Sequence, residues 1–479
     1  MAERTVKPRL SRGLRDLLPE QMLARQRMID TIKGVYERYG FVPIDTPAIE
    51  YLDVLSGSAG QETQRQIFRV SNPEEEALGL RFDLTVPLAR VIAQHRDLPR
   101  PFRRYQVSSV WRADKPDPGR FREFTQFDID SVGTRSDMAD TEIIAAMCDT
   151  LTALDVGSYR VRFSSRRVLN LLMPFAGIPV EQTADVFRVL DKLDKIGAER
   201  VRQELTTGYK DSSGAQVAGL GLTDAHVDRI ERFLSIKDGS RDEVLGRCRE
   251  LFSGVPGADE EIDVLDRMSQ RLAILGYAED RVVIDLSIAR GLAYYTGPVF
   301  EAILPEAPRF GSVFGGGRYD DLVSRFAGER VPAVGASIGV DRLLAALVEL
   351  GRVRLRKSTA QVLVTTIDPT LSEDYLAMAF ELRRAGLNAE LYLGPPKRFG
   401  KQIKYADQCD IPVVLVCGTD EKERGIVTVK DMAAGRQRSA EIGGRDQWRE
   451  ERPGQFEVPR TELVTAVKDL LRRVEASQP

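Results

Sequence analysis

Histidine is almost missing from this chain: His95 and His226 are the two among 479 residues. That leaves little room for histidine-based acid–base chemistry or a zinc cluster, and no metal site is expected. Cysteine is scarce too. Cys148, Cys248, Cys409 and Cys417 form no CxxC pair, so reduced structural thiols are expected rather than disulfides or metal ligands. No apolar run approaches the ~18 residues that a membrane span needs. The start, MAERTVKPRLSRG, is basic but lacks the apolar core of a secretory signal, so a cytoplasmic protein is expected. Charge of one sign is lacking as well: the net value is −3, and any nucleic-acid surface must be a local patch. There is no GxxxxGK[ST], and the one glycine run has no strand–GxGxxG–helix setting, which argues against P-loop and dinucleotide-fold chemistry. Repeats and low-complexity tracts are absent.

What is present is an ordinary globular composition, 42% apolar and 29% charged, long enough for two or three domains. Residues 19–40 read as a helix, with Pro19 in the first turn, apolar residues at three- and four-residue steps, and Gly40 as a stop. FVPIDTPAIE follows as an extended segment whose prolines, Pro43 and Pro47, exclude a central strand. Residues 103–112 and 122–130 read as two antiparallel strands joined by the Pro/Gly loop ADKPDPGRF. Residues 165–280 are charged and mostly helical, without strand alternation. Strands return at 281–338, and LRKST at 355–359 is a short linker. Beyond it QVLVTTID, a helix at 371–385, NAELYLG, a helix at 399–408 and IPVVLVCG alternate as a small, partly parallel α/β domain. The expected domains are therefore 1–164 and 281–354 as two parts of one domain, 165–280 as an insertion, and 360–479.

Alternate residues of a strand share a face. One face of 122–130 thus carries Arg122, Phe124, Gln126, Asp128 and Asp130, and its partner aligns Arg104, Gln106, Ser108, Val110 and Arg112. So many polar groups inside a domain suggest a binding surface, because buried charge is costly unless paired or used. A solvent-facing sheet is the plain alternative. In RFDLTVPLAR, Asp83 and Thr85 suit an ammonium group if extended, or a helix N-cap if not. Arg290, in ARGLAYYTGPVFEA, can grip a carboxylate or phosphate or serve as a surface arginine. Of the adjacent Tyr294 and Tyr295, at most one would face a given pocket on an extended strand. FGGGRYDDL permits close backbone approach or a tight bend. In VGASIGVDRLLAAL a strand breaks at Gly339 into a helix, placing Arg342 in its first turn, where it opposes the helix dipole unless it binds an anion or stacks on a ring.

The order of these blocks carries more than any one of them. SRGLRDLLPE, GFVPIDTPAIE, LRFDLTVPLAR, VWRADKPDPGRFREFTQFDID, ARGLAYYTGPVFEA, GGGRYDDL and GASIGVDRL resemble successive blocks of the histidyl-tRNA synthetases, and KQIKYADQCDIPVVLVCG extends the likeness toward the C-terminus. VWRADKP…GRFREF resembles class II motif 2, and GVDRL the end of motif 3. The resemblance implies an α+β catalytic domain on a mixed, mostly antiparallel sheet, a helical insertion, and a C-terminal α/β anticodon-binding domain. It implies ligation of L-histidine to tRNA(His) through histidyl-adenylate, with ATP as substrate, Mg²⁺ on its phosphates, and a homodimer with 19–50 near the interface.

The same resemblance suggests roles. Arg112 would contact the α-phosphate and the histidine carboxylate, with Arg290 as the catalytic arginine. Phe124 would stack on adenine and Arg342 cover its other face. Asp83, Thr85 and Gln126 would hold the α-ammonium, with Leu84 between them in the same pocket. Asp130 and one of Tyr294 and Tyr295 would read the imidazole. Independently of it, Lys397, Arg398, Lys401 and Lys404 cluster around the helix at 399–408 with Tyr392 nearby, and would meet the tRNA or be plain solvated helix charge. Two positions depart from the family pattern. Ala293 replaces the acidic residue usual between Leu and Tyr of RGLxYY, and Phe314 stands where a smaller residue is usual. They are the support for an alternative, a paralogue charging another amino acid. A regulatory, synthetase-like subunit is the other alternative, opposed by the retained arginines and C-terminal domain.

Overall fold

The computed structural model describes residues 6–56, 61–116, 119–211, 214–288, 294–395, 399–435 and 454–476. The chain divides into two compact units, Met1–Asp16 with Arg25–Val353 and Leu17–Ala24 with Arg354–Pro479.

The larger unit is built on an eight-stranded sheet. Its strands in chain order are β1 (Val42–Pro43), β2 (Phe102–Trp111), β3 (Glu123–Val132), β4 (Arg160–Ser165), β5 (Val282–Ile284), β6 (Pro298–Ile303), β7 (Ser312–Arg318) and β8 (Ala333–Gly339), and they lie side by side as β1-β2-β3-β8-β7-β6-β4-β5. The strands from β2 to β4 in that order pair antiparallel, and the outermost two pair parallel. β1 holds Pro43, which lacks an N–H for the ladder, and it sits at the sheet's edge as the two prolines require.

The odd face of β3 is apolar. Phe127 and Ile129 are fully buried there, and Tyr36 from helix α1 (Pro19–Arg38) meets Phe127 edge-on at 5.0 Å. Helix α2 (Thr85–Gln94) leads away from the Asp83 segment. Helix α3 (Asp137–Ala153), capped by the Ser136 hydroxyl, is buried along most of its length, and Tyr39 beyond the end of α1 hydrogen-bonds Asp149 on it at 2.8 Å. With the apolar face covered, the even face of β3 is left for the polar residues. Its register sets Asp130 opposite Arg104 and Gly335, and Asp128 opposite Gln106 and Ser337. Helix α4 (Val340–Glu349) starts where β8 ends at Gly339.

Between β4 and β5 the chain is mainly helical, but it also forms a small hairpin, Gly208–Lys210 with Gln216–Ala218, that the lack of alternation did not predict. Three-residue strands are too short to show a period. Gly208 makes the pairing possible: its φ is +80°, and a Cβ there would strike the Val217 carbonyl.

The smaller unit has a five-stranded sheet of β9 (Val362–Val364), β10 (Ala389–Leu391), β11 (Val413–Val416), β12 (Ile426–Asp431) and β13 (Gln455–Pro459), ordered β10-β9-β11-β12-β13. β9 pairs parallel with both neighbours, and β12 and β13 add antiparallel. Helices α5 (Ser372–Arg384) and α7 (Leu463–Ala476) bury Tyr375, Met378, Leu382, Val467 and Leu470 against the face that carries Val362, Val364 and Leu415. Helix α6 (Phe399–Gln408) packs Ala406 on the other face, against Leu363 and Val414. Among the described residues no helix is long and apolar enough to cross a membrane.

Candidate active site

The even face of β3 forms the floor of a cleft of about 340 Å³ in the larger unit, within the usual size range of small-molecule sites. Its inner end is acidic. Asp83, Asp128 and Asp130 line it and are almost wholly buried. Asp130 is engaged on both oxygens: Tyr319 donates its hydroxyl to Oδ1, and Arg104, itself fully buried, pairs with Oδ2 at 2.7 Å. Arg104 also donates to the Leu84 carbonyl at 3.1 Å. Leu84 thus contributes its backbone to the support of the floor, while its side chain is buried and lies outside the cleft lining.

The two oxygens of Asp83 are used differently. Its Oδ1 accepts the Val86 N–H at 2.9 Å in the first turn of α2, and its Oδ2 has no partner among the described residues. Gln126 donates to the Ser337 hydroxyl at 2.7 Å and leaves its own carbonyl oxygen unpaired. Asp128 is supported by Ser337 too, yet its Oδ1 has no hydrogen bond among the described residues. Burial pushes the Asp128 carboxyl up to about 7; Arg104 pulls it down and Asp130 raises it further. Burial likewise raises Asp83, opposed first by the Val86 N–H, and Asp130, opposed first by Arg104.

Glycines make this floor narrow. A Cβ on Gly335 would overlap the Asp130 carboxylate, and one on Gly317 would come within 3.0 Å of the Tyr295 ring. The glycine run is therefore a central strand under close contact, not a bend. Tyr294 and Tyr295 correct the expectation that at most one would face the pocket: both line it, their rings packed edge to face at 5.1 Å. They lie before β6 starts at Pro298, so strand alternation does not apply to them. Phe314 is buried on β7 and fills part of the wall.

The outer end is basic and aromatic. Arg112 follows β2, and its Nε donates to the Phe82 carbonyl at 2.9 Å while its guanidinium stands 5.2 Å from the centre of the Phe124 ring. Arg342 reaches out of the first turn of α4 to the Ser312 carbonyl at 2.7 Å, and Asp341 takes the place beside the helix N-terminus that suits a negative charge. Asp341 also accepts the Thr125 N–H at 2.6 Å and pairs with Arg15 at 2.7 Å, which ties β3 to α4. Arg122 lies before β3 begins and donates to the Asp114 carbonyl at 3.1 Å. Arg120 lines the mouth, half exposed and 3.6 Å from Asp114.

Arg290 and Ala293 lie outside the described residues, as do Lys397 and Arg398. Ile288 and Tyr294, on either side of 289–293, line the cleft. Lys401 and Lys404 are exposed on α6, and Tyr392 packs edge-on against Tyr405 at 5.6 Å. Arg104, Tyr319 and Ser337 are the supporting residues to which sequence reasoning gave no role. The ladder partner of Asp130 was the available signal for Arg104.

A sheet of mostly antiparallel strands bearing such a cleft, followed by a separate α/β domain, is the architecture of class II aminoacyl-tRNA synthetases. Residues 13–343 match the family model described as histidyl-tRNA synthetase, and 361–470 the anticodon binding domain. The histidine–tRNA ligase of Ruegeria sp. (strain TM1040) is 46% identical, covering 96% of this chain and 95% of that protein. The histidine–tRNA ligase of Cereibacter sphaeroides is 44% identical, covering 98% and 99%. The crystal structure of histidyl-tRNA synthetase from Nostoc sp. PCC 7120 superposes with a TM-score of 0.80 at 32% identity, covering 97% of this chain and 100% of that one. The chain belongs to the histidyl-tRNA synthetase family.

Proposed function

We propose that this protein ligates L-histidine to tRNA(His) with ATP, by way of histidyl-adenylate. The observation that carries the reading is the polarity of one cleft: open carboxylate oxygens at the inner end, arginines and an aromatic ring at the outer end. Asp83, Thr85 and Gln126 take the α-ammonium of histidine. Arg112 and Arg290 meet its carboxylate and the α-phosphate, and Phe124 and Arg342 enclose adenine. Asp130, Tyr294 and Tyr295 form the imidazole end.

The histidine carboxylate attacks the α-phosphate in line and pyrophosphate leaves. A terminal ribose hydroxyl of the tRNA then attacks the activated carbonyl, and AMP leaves. Neither step needs a protein nucleophile, only two anions brought together under fixed cations. A chain nearly free of histidine can run this chemistry. Mg²⁺ would arrive on the triphosphate, and no cluster of His, Cys, Asp or Glu among the described residues could hold an ion.

We assign 1–164 and 281–354 to the catalytic domain, 165–280 to an insertion, and 360–479 to anticodon binding in the cytoplasm. Exposed Lys401 and Lys404, with Lys397 and Arg398, support tRNA contact there; affinity should then fall steeply with salt. Exposed Val42, Ile49 and Tyr51 support a homodimer with this stretch of chain near the interface, which light scattering at micromolar concentration checks. The decisive experiment is pyrophosphate exchange across a panel of amino acids. Histidine alone should support rapid exchange. Faster exchange with another amino acid would shift the assignment to a paralogue of different specificity, and no exchange at all to a regulatory subunit.

A further inference from the structure

Four buried acceptor atoms at the acidic end lack a hydrogen bond among the described residues: Asp83 Oδ2, Gln126 Oε1, Asp128 Oδ1 and Asp130 Oδ2. Arg104 meets Asp130 Oδ2 as an ion pair at 2.7 Å, which leaves the other three. An α-ammonium group has three N–H donors. In the proposed mode these go to Asp83, the Thr85 hydroxyl and Gln126, which leaves the Asp128 oxygen over. Asp130 has less to offer a ligand, since Tyr319 and Arg104 already occupy its two oxygens. The two aspartates share a strand face and line the same cleft. Both oxygens of Asp130 are engaged by the protein, whereas Asp128 keeps one oxygen without a hydrogen bond among the described residues.

Charge points the same way. Three buried carboxylates surround one fully buried guanidinium, that of Arg104. Arg104 offsets Asp130, and an ammonium offsets Asp83. Asp128 still requires a donor, and the part of the substrate left to supply it is the side chain.

We propose that Asp128 is a specificity-determining residue of this site, accepting a ring N–H of the substrate imidazole on its open oxygen. The proposal rests on the histidine-activating reading above. A buried carboxylate oxygen left without a hydrogen bond is costly to the free protein, and the substrate relieves it. An amino acid with an apolar side chain would leave that oxygen unpaired, so discrimination should be strong.

Asp128→Asn, nearly isosteric and uncharged, and Asp128→Ala test this in histidine-dependent pyrophosphate exchange, with melting temperature measured on the same samples. The wild-type rate with histidine checks the underlying reading independently. Both variants should raise the histidine KM by about tenfold or more and leave the ATP KM within about twofold. Asp128→Asn should melt at or above the wild-type temperature, because it removes a buried carboxylate one oxygen of which has no hydrogen bond among the described residues. A residue that only supports the fold would lower the melting temperature and raise both KM values together, and that result would overturn the proposal. So would a histidine KM within about twofold of wild type in Asp128→Asn. Should Asp128→Ala fail to fold, Asp128→Asn alone decides.

Discussion

The two ends of the cleft solve opposite problems. At the inner end charge is buried, glycines hold the walls close, and carboxyls rise above their ordinary range because water is excluded. At the outer end the cations remain partly in solvent, and the backbone carbonyls of Phe82 and Ser312 aim Arg112 and Arg342. The difference follows from the ligands. A small amino acid offers few contacts, so each must be strong, and a dry site strengthens electrostatics while penalising any group left unpaired. A nucleotide brings several charges and a large ring, and orienting cations toward it matters more than burying them. The inner end should therefore govern selectivity and the outer end rate and nucleotide affinity.

Loss of a cation at the α-phosphate should cost most, and it bears on rate. Arg290→Ala should lower kcat for pyrophosphate exchange by about a hundred- to a thousandfold, the usual loss of one preorganised donor at a developing charge. Both KM values and the melting temperature should change little. A variant that melts normally and exchanges at near-native rate would remove Arg290 from the catalytic assignment.

Next is the inner end. Asp130→Ala removes the partner of a fully buried guanidinium, and an orphaned buried charge of this kind costs roughly 3–5 kcal/mol of stability. Histidine KM should rise about ten- to a hundredfold, with ATP KM the lesser change. The difference between the ends breaks down if Asp130→Ala melts like the wild type, or if ATP KM rises while histidine KM stays.

How much of the fold and the site is legible in the sequence depends on the range of the interactions. The hairpin of β2 and β3 and the β9–α5–β10–α6–β11 alternation are readable, because periodicity is local. So is the shared face of Gln126, Asp128 and Asp130. What the sequence does not disclose is which aspartate is committed. In FDID the two are chemically alike, and only the register, with Arg104 opposite Asp130 and Ser337 opposite Asp128, separates them. Tyr294 and Tyr295 mislead for a related reason: alternation does not extend to residues that precede the strand. The double use of Asp83, which accepts the Val86 N–H on one oxygen and keeps the other without a bond among the described residues, needs three-dimensional knowledge of where α2 starts.

A charge at the mouth separates the two ends by screening rather than by size. Arg120 stands at the mouth with half its side chain exposed and a loose partner, Asp114, at 3.6 Å. Exposed charges interact weakly in water, so Arg120→Ala should raise ATP KM only about two- to fivefold. That penalty should shrink as salt is added, since at 0.15 M the Debye length is ~8 Å and at 1 M ~3 Å, and solvent-exposed charges are screened accordingly. The histidine KM shift of Asp128→Asn should barely respond to the same salt series, because the group it removes is buried and ions do not reach it. Measuring both variants side by side from low to high ionic strength therefore reads the dielectric character of each end directly. Equal salt sensitivity in the two would mean that the inner end is as wet as the mouth, and the account of selectivity by unpaired buried acceptors would fail with it.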